Sequence, residues 1–408
     1  MAVATALAIL GMIVSEFSTD TTIESTAAAN ARDDMQTHFL ARSGANLTQL
    51  VVRVQTDVVD KYRKQLGDFQ ITDYAGMFMG AFGGGREEVE AMAAMLGGFR
   101  GDAIKGLGVA TGRFDVHIST DDGLINMNCA NGTQQTQEIL KTLLEAMFYH
   151  EAFDRIFESP DAEGWRRDRT TQAKALIDYI DRDRAGFGQP GTREEYGYES
   201  LDDPYMAKDN YLDTIGELKL VRGIDDRMWA LFGDQFTIYG DCKVNIGSVT
   251  DPKLIAAVLM LAAKDPQDPV IRDQTKLWAL AGAVIEAKSA GILYDDLQAF
   301  ADFVKDPVGS VASMYGDDPS GAMAPPPSFS GVQIVGLELD PTKLDQVAAS
   351  GPRRTYRVEV VATVPRGVEG TGNDYVKRLT AVWDTKTQNQ NMRDPAYPYG
   401  AWVYWREE

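Results

Sequence analysis

The feature that most constrains the fold is the apolar run at the start of the chain, residues 1–14 (MAVATALAILGMIV). It passes into a polar segment in which apolar residues recur at helical spacing, and residues 2–54 contain no proline. Glycine occurs there only at Gly11 and Gly44. This pattern predicts one long helix over residues 1–54, with an apolar tip and an amphipathic stem. Such an exposed helix needs lipid or other apolar helices as a partner.

The apolar tip does not fit two common classes of N-terminal segment. No basic residues precede it and no small-residue cleavage site follows it, so it is not an intact secretory signal peptide. At 14 residues it is shorter than the ~20 apolar residues that a membrane-spanning helix usually needs. An ordinary membrane anchor on an unrelated domain would show the same pattern.

The composition argues against an enzyme and against nucleic-acid binding. The 408 residues can form two or more domains, and the net charge of −20 repels phosphate backbones. The three histidines, His38, His117 and His150, have no metal-ligand spacing, and no hydrolase, metalloprotease or nucleotide-binding motif is present. We therefore predict no enzyme. The alternative, an anchored periplasmic enzyme, would need a convergent catalytic pocket that the sequence does not show.

The rest of the chain predicts an α+β body with a helix-rich middle. Alternating patterns around an Asp-Gly turn predict a hairpin of residues 113–119 and 124–128. Further strands are predicted at 241–246, 332–339, 355–365, 375–383 and 401–405. Helices are predicted at 87–96 (after a glycine joint at 83–85), 133–165, 171–179, 252–263, 276–290 and 294–304. Residues 317–330 form a predicted proline-rich linker.

The stem of the long helix contains a distinctive segment, AANARDDMQTHFLARSGANLTQLV. In it an Ala-Asn-x-Arg-Asp element is followed by an aromatic-Leu-Ala-x-x-Gly-x-Asn-Leu element. This order of elements resembles the minor pseudopilin K family of type II secretion. The matching positions are Ala29, Asn30, Arg32, Asp33, Phe39, Leu40, Ala41, Gly44, Asn46 and Leu47.

A second segment, in the middle of the chain, carries the strongest resemblance to the same family. Its matching positions are Asp178, Ile180, Asp181, Asp183, Tyr205, Lys208, Asn210, Glu217, Leu218, Val221, Gly223, Val244 and Asn245. Tyr179 departs from the pattern, because the family usually has tryptophan there. The chain's ending, YGAWVYWREE, also resembles the family's last strand.

The resemblance implies an α+β, pilin-like fold in which a long N-terminal helix packs on an antiparallel sheet, with a large inserted all-helical domain. Residues 1–54 would be the helix and 131–240 the insertion. The pilin-like body would be assembled from residues 55–130, 241–250 and 331–408. Further helices would occupy 251–316, before the linker at 317–330.

The function implied by the resemblance is a non-enzymatic subunit at the tip of the type II secretion pseudopilus, which helps to start its assembly for protein export. Its partners would be other minor pseudopilins and the major pseudopilin, bound through their N-terminal helices. Before assembly the helix would lie in the bacterial inner membrane, with the body in the periplasm. The alternative is a tip minor pilin of a type IV pilus, which serves in adhesion, motility or DNA uptake.

The resemblance also assigns a role to the apolar tip. Pilin-like proteins lose a short basic leader, so Met1 would be at or near the first mature residue, where such proteins are methylated. Most members of the superfamily have glutamate at the fifth mature position, whereas this chain has Thr5, as is typical of the K subunits. The predicted membrane and filament-core residues are Met1, Val3, Thr5, Leu7, Ile9, Leu10, Ile13 and Val14.

An acidic, glycine-rich segment follows the predicted helix at 171–179. Carboxylates and backbone carbonyls in such a loop could supply the 6–8 oxygen ligands of calcium, although the EF-hand spacing is absent. The alternatives are a solvated charged loop and neutralisation by nearby arginines. Because K subunits bind calcium in the inserted domain, the resemblance adds support for the metal and leaves these alternatives open. The predicted ligands are Asp178, Asp181, Asp183, Glu194, Glu195 and Glu199.

The two cysteines, Cys129 and Cys242, flank the first helical segment. In an oxidising periplasm they could form a disulfide that fastens the insertion to the sheet. The alternative is that each is a separate small core residue.

Overall fold

The computed structural model describes residues 1–62, 69–76, 112–161, 164–165, 167–188, 197–201, 203–292, 294, 296–315, 334–365, 374–386 and 400–408. The predicted joint at 83–85, helix at 87–96 and linker at 317–330 lie outside these residues. The helices in the described part are α1 Ala2–Val54, α2 Gln134–Phe148, α3 Asp154–Glu158, α4 Arg169–Asp178, α5 Asp226–Phe232, α6 Pro252–Ala262, α7 Pro269–Arg272, α8 Gln274–Ser289, α9 Leu297–Lys305, α10 Pro307–Tyr315 and α11 Pro341–Val347. The strands are β1 Arg113–Ser119, β2 Ile125–Asn126, β3 Phe236–Thr237, β4 Val244–Asn245, β5 Ala348–Ala349, β6 Thr355–Val364, β7 Tyr375–Asp384 and β8 Ala401–Glu407.

The predicted long helix is confirmed as α1, which runs without interruption for 53 residues. It ends in a π-helical turn, Gln55–Val59, whose first residue, Gln55, is buried. The Gln55 amide donates to Asp60 Oδ1 at 2.7 Å, and its carbonyl oxygen accepts from the Ile71 backbone N–H at 2.7 Å. These bonds fix the chain as it turns away from the helix axis.

A four-stranded antiparallel sheet with the order β1-β6-β7-β8 packs against the stem of α1. Its side chains alternate between the two faces, and Val358 and Val360 of β6 lie in the core against the helix. The close approach of α1 to the sheet depends on Gly44. A Cβ at this position would lie 2.7 Å from Cγ1 of Val360 and 3.1 Å from Phe114. The fold class predicted from the sequence, a long helix on an antiparallel sheet, is confirmed. We call α1 and this sheet the sheet layer.

The predicted hairpin of residues 113–119 and 124–128 is wrong in its pairing. β1 forms as predicted but pairs with β6, while the shorter β2 pairs in parallel with β3. The reason lies at the turn between them, where the buried carboxylates of Asp121 and Asp122 bind the start of β6. Those bonds direct the chain away from the sheet rather than back along β1.

Two further strand predictions need correction. Among the described residues, the segment 241–246 does not join the main sheet, and β4 instead pairs with β5 in a separate parallel pair. Over 334–339, the described part of the predicted strand 332–339, the chain forms a single bridge, from Leu339 to Ala263. Buried side chains of both segments, among them Ile246 and Leu337, belong to the helical core, which holds the segments away from the sheet. The predicted strands at 355–365, 375–383 and 401–405 are confirmed as β6, β7 and β8.

A helical block, residues 123–349, lies between β1 and β6 in sequence, although these two strands are neighbours in the sheet. Its core is one apolar cluster that includes residues of α2, α4, α6, α8 and α9. Helix α6 is apolar around its whole circumference and packs between α2 and α8. The helices at 252–315 therefore share a core with those at 134–232.

Candidate functional sites

The apolar tip of α1 projects from the body without cover. The eight predicted tip residues are all exposed. For the large apolar ones within the helix, the exposed fraction of the residue runs from 53% at Ile9 to 76% at Val3. The Thr5 hydroxyl donates to the Met1 carbonyl at 3.2 Å, which satisfies it within the helix. In the part of the chain that the structure describes, this helix alone is long and apolar enough to cross a membrane. Its apolar surface requires lipid or protein contact.

The stem of α1 is fastened to the last two strands by polar contacts as well as by packing. Asp34 accepts from the Tyr375 hydroxyl at 2.7 Å and from Lys377 Nζ at 3.0 Å. The hydrogen bond from Tyr375, aided by that from Lys377, lowers the pKa of Asp34. On the next strand, Glu407 lies 2.6 Å from Nδ1 of His38. The tip thus extends from a helix whose C-terminal half is held on the sheet.

The acidic turn after α4 carries three of the predicted calcium ligands. Asp178 is buried and accepts from the Phe187 backbone N–H at 3.0 Å. Asp181 is 3% exposed, and its Oδ2 accepts from the Gln137 amide at 3.1 Å. Asp183 is exposed and accepts from the Ala185 backbone N–H at 2.8 Å. Each of the three carboxylates is therefore oriented by a hydrogen bond from a backbone N–H or from the Gln137 amide.

A fourth carboxylate, that of Asp209, joins the turn although the sequence analysis missed it. Asp209 has a left-handed backbone conformation, with φ of 48°, which non-glycine residues adopt infrequently. Its Oδ2 accepts from Arg184 Nε at 3.2 Å. Among the described residues, Oδ1 of Asp209 and Oδ1 of Asp181 are both buried without a hydrogen-bond partner. Nothing in the local sequence indicates this contact, because Asp209 is distant from α4 along the chain.

The electrostatics of the turn disfavour a charged Asp181. Burial, followed by the negative charges of Asp183, Asp178 and Asp209, raises the pKa of Asp181 to about 7. Of the arginines considered for neutralisation, Arg182 lies over the ring of Tyr211, with its Cζ 4.8 Å from the ring centroid. The acidic turn consequently carries an excess of negative charge around an unsatisfied oxygen.

The remaining predicted ligands do not complete a described metal site. Glu194 and Glu195 lie outside the described residues, and Glu199 is exposed on the 3-10 turn Tyr198–Ser200. Within the described ranges, no three histidine, cysteine, aspartate or glutamate side chains are gathered so that they could hold a metal ion.

The two cysteines are joined in the structure by a disulfide, with a Cα–Cα distance of 5.7 Å and a sequence separation of 113 positions. Asparagine side chains fasten the same region. Asn126 donates to the Gly240 carbonyl at 2.9 Å, and Asn128 accepts from the Leu212 backbone N–H at 2.7 Å. The disulfide closes the first half of the helical block at the end that faces the sheet.

The connection between the helical block and the sheet layer is polar. Arg357 of β6 donates two hydrogen bonds to Asp121, at 3.0 Å and 2.7 Å. Asp122 accepts from the Thr355 backbone N–H at 3.1 Å, and its burial raises the pKa of its carboxyl. Arg354 holds Asp384 of β7 through two bonds, at 2.9 Å and 2.8 Å. The sequence analysis identified Asp121 and Asp122 as turn residues and did not predict their contacts with β6.

Gly123 marks the point at which the chain leaves this connection. A Cβ at Gly123 would lie 2.4 Å from the backbone oxygen of Ser248, so only glycine fits there. The block therefore begins at a position that is fixed by backbone contact.

Comparisons with known proteins address the same block. Residues 123–234 match the family model described as "Type II secretion system (T2SS), protein K". Among solved structures, the chain is similar to one from the complex of GspK, GspI and GspJ of the enterotoxigenic Escherichia coli type II secretion system. That similarity has a TM-score of 0.42 and 13% sequence identity, and it covers 74% of this chain and 81% of the other. No curated protein matches the chain. The first part of the helical block, residues 123–234, is accordingly similar to protein K of type II secretion systems.

Proposed function

We propose that the chain is a minor pseudopilin of a type II secretion system, which caps the tip of the pseudopilus and helps to start its assembly. The observation that carries the proposal is the position of residues 123–234, the segment that matches the protein K family model. It is inserted between two neighbouring strands of a sheet that holds an uncovered apolar helix. This arrangement has the features of a filament subunit, and the proposal includes no enzymatic step.

The apolar tip accounts for both membrane storage and assembly in this proposal. Before assembly, residues 1–14 rest in the inner membrane and the body lies in the periplasm. On assembly they move among the N-terminal helices of other minor pseudopilins and of the major pseudopilin. Because apolar helix contact replaces apolar lipid contact, the transfer costs little free energy.

A position at the tip is supported by two features of the chain. The helical block is bulky and would obstruct a further subunit stacked above it. Thr5 has no acidic group, and its hydroxyl is satisfied by the Met1 carbonyl within the same helix. The tip of α1 therefore lacks a charged group at position 5 with which to engage another subunit.

The proposal also includes a calcium ion at the acidic turn. Carboxylate oxygens are the ligands that calcium prefers, and the buried, unsatisfied oxygens of Asp181 and Asp209 fit a cation that would supply the missing positive charge. Binding would draw Asp178, Asp181, Asp183 and Asp209 around the ion, since no three acidic side chains of the described residues are already gathered for one. Glu194, Glu195 and Glu199 remain predicted ligands.

The proposal is tested by co-purification of the full chain with the minor pseudopilins encoded beside it, in calcium and in chelator. A variant without residues 1–14 is the matched comparison. We expect a stoichiometric complex from the full chain, loss of that complex from the truncated chain, and a weaker or less stable complex in chelator. Assembly that does not need residues 1–14 would contradict the mechanism, and indifference to chelator would contradict the calcium site.

A further inference from the structure

The face of α1 that points away from the sheet carries a seven-residue repeat. Its positions alternate in spacing between four and three residues. These positions, which we call the seam, are Val3, Leu7, Leu10, Val14, Phe17, Thr21, Glu24, Ala28, Ala31 and Met35. All ten are exposed. On the opposite side of the helix, Asp33, Thr37 and Leu40 are buried against the sheet layer.

The spacing of the seam indicates that another helix covers it. A repeat of 3.5 residues keeps one stripe facing a partner helix through a left-handed supercoil, whereas lipid imposes no such period. In the segment beyond the apolar tip, the small side chains of Ala28 and Ala31 allow two helix backbones to approach closely. Phe17 and Met35, which are 73% and 63% exposed, supply the large apolar contacts on either side.

The hydroxyl groups near the seam do not oppose this burial. Thr19, Thr22 and Thr26 each donate to the carbonyl four residues earlier, at 2.8–2.9 Å. The seam residue Thr21 does the same to Phe17 at 2.7 Å. These hydroxyls need no partner from outside the helix, so a second helix can cover them at little cost.

Glu24 is the charged member of the seam and restricts what can cover it. No ion pair involves Glu24 within the described residues, and Asp20 lies one turn before it. An apolar partner would bury an unpaired carboxylate, which is strongly unfavourable. A second copy of this chain aligned in register would place Glu24 against Glu24. An apolar partner helix and an in-register second copy are therefore both disfavoured. The partner must carry a positive charge opposite Glu24.

We propose that the seam is the docking surface for one α-helix of a different subunit, which carries a lysine or arginine opposite Glu24. This inference rests on the proposed function and adds to it the register and the charge of the partner helix. Polar residues at such positions set register and partner choice in paired helices. The positive residue makes Glu24 a selective contact, whereas the apolar tip alone would accept any apolar helix.

The test uses the full chain, co-expressed with the minor pseudopilins encoded beside it and recovered from membranes. The variant is Glu24→Lys. Its matched control is Glu16→Lys, which makes the same charge change about two turns earlier and off the seam. We expect Glu24→Lys to lower recovery of the partner at least about tenfold, and Glu16→Lys to lower it less than about twofold. Changing the partner's opposing basic residue to glutamate should restore recovery with Glu24→Lys.

Cysteine cross-linking gives a second readout, because among the described residues neither native cysteine is free. Phe17→Cys and Met35→Cys should cross-link to a partner helix, whereas Thr19→Cys, on the opposite side of α1, should not.

The outcomes separate this inference from the proposed function. Equal losses from Glu24→Lys and Glu16→Lys, or equal cross-linking from Thr19→Cys, would overturn the seam while leaving the subunit assignment intact. Cross-links between two copies of this chain would overturn the choice of partner. If the unmodified chain recovers no minor pseudopilin, the proposed function falls, and this inference falls with it.

Discussion

The sheet layer differs from the helical block in how the chain brings its core side chains together. In the sheet layer, two regular surfaces meet, and Gly44 lets α1 approach Val360 and Phe114. In the block, short helices and irregular segments are joined by the Cys129–Cys242 disulfide and by asparagine side chains. The comparison shows that two regular elements can meet over a continuous packed surface, with polar contacts such as those of Asp34 added to it, whereas the irregular segments of the block are linked at separate, defined points.

Removal of the disulfide should have the largest effect and should fall on the helical block. Closing a loop of 113 residues contributes about 5 kcal/mol in the chain-entropy model. We expect Cys129→Ala with Cys242→Ala to lower the free energy of unfolding by an amount of that order, less any residual structure in the unfolded chain. Calorimetry of the detergent-solubilised full chain measures this. An unchanged transition would show that the block is held without the link.

Gly44→Ala should have the next largest effect and should fall on the sheet layer. The new Cβ would meet the short, stiff Val360 side chain at 2.7 Å, so α1 or β6 must move, at a cost of about 1–3 kcal/mol. The matched control is Gly282→Ala on α8, where a Cβ meets nothing within 4 Å. That change should stabilise the protein by up to about 1 kcal/mol. Equal effects at the two glycines would remove the distinction between the two regions.

Asp181→Asn should have a smaller effect that depends on pH and calcium. Because the pKa of Asp181 is raised to about 7, the folded protein keeps a proton that the unfolded chain has released above about pH 4. Stability without calcium should therefore fall as pH rises from about 4 to about 7. The variant should lose this decline and be about 1 kcal/mol more stable than the parent at pH 7.5 in chelator.

Calcium should reverse that order, because the parent gains stability from the ion and Asp181→Asn gains less. Thermal unfolding at pH 5 and pH 7.5, in calcium and in chelator, measures both effects. A parent protein whose stability rises between pH 5 and pH 7.5 in chelator would show that Asp181 does not carry the excess charge.

The sequence predicted the regular elements better than their pairing. Helix α1 and strands β6, β7 and β8 follow from uninterrupted periodic patterns, so local preference and burial agree there. The hairpin prediction failed at Asp121 and Asp122, because bonds to residues more than 200 positions later override the local turn signal. Short strands such as β4 have too few residues to define a partner.

The acidic turn was predicted only in part for the same reason. Asp178, Asp181 and Asp183 are close in sequence, and their grouping could be read from the helix end that carries them. Asp209 reaches them through a left-handed turn of its own backbone, which no residue pattern announces. The raised pKa of Asp181 depends on this fourth charge and on burial, and both are properties of the folded chain.

By itself, the sequence determined that this protein has a long helix with an apolar tip, because period and composition suffice to specify a helix and its exposed face. It also determined the repeat along the seam, which is fixed by spacing alone. The tertiary structure decided which half of α1 is covered, which strands pair, and which carboxylates meet at the acidic turn. Those outcomes depend on contacts between residues far apart in the chain, and local preference carries no information about such contacts.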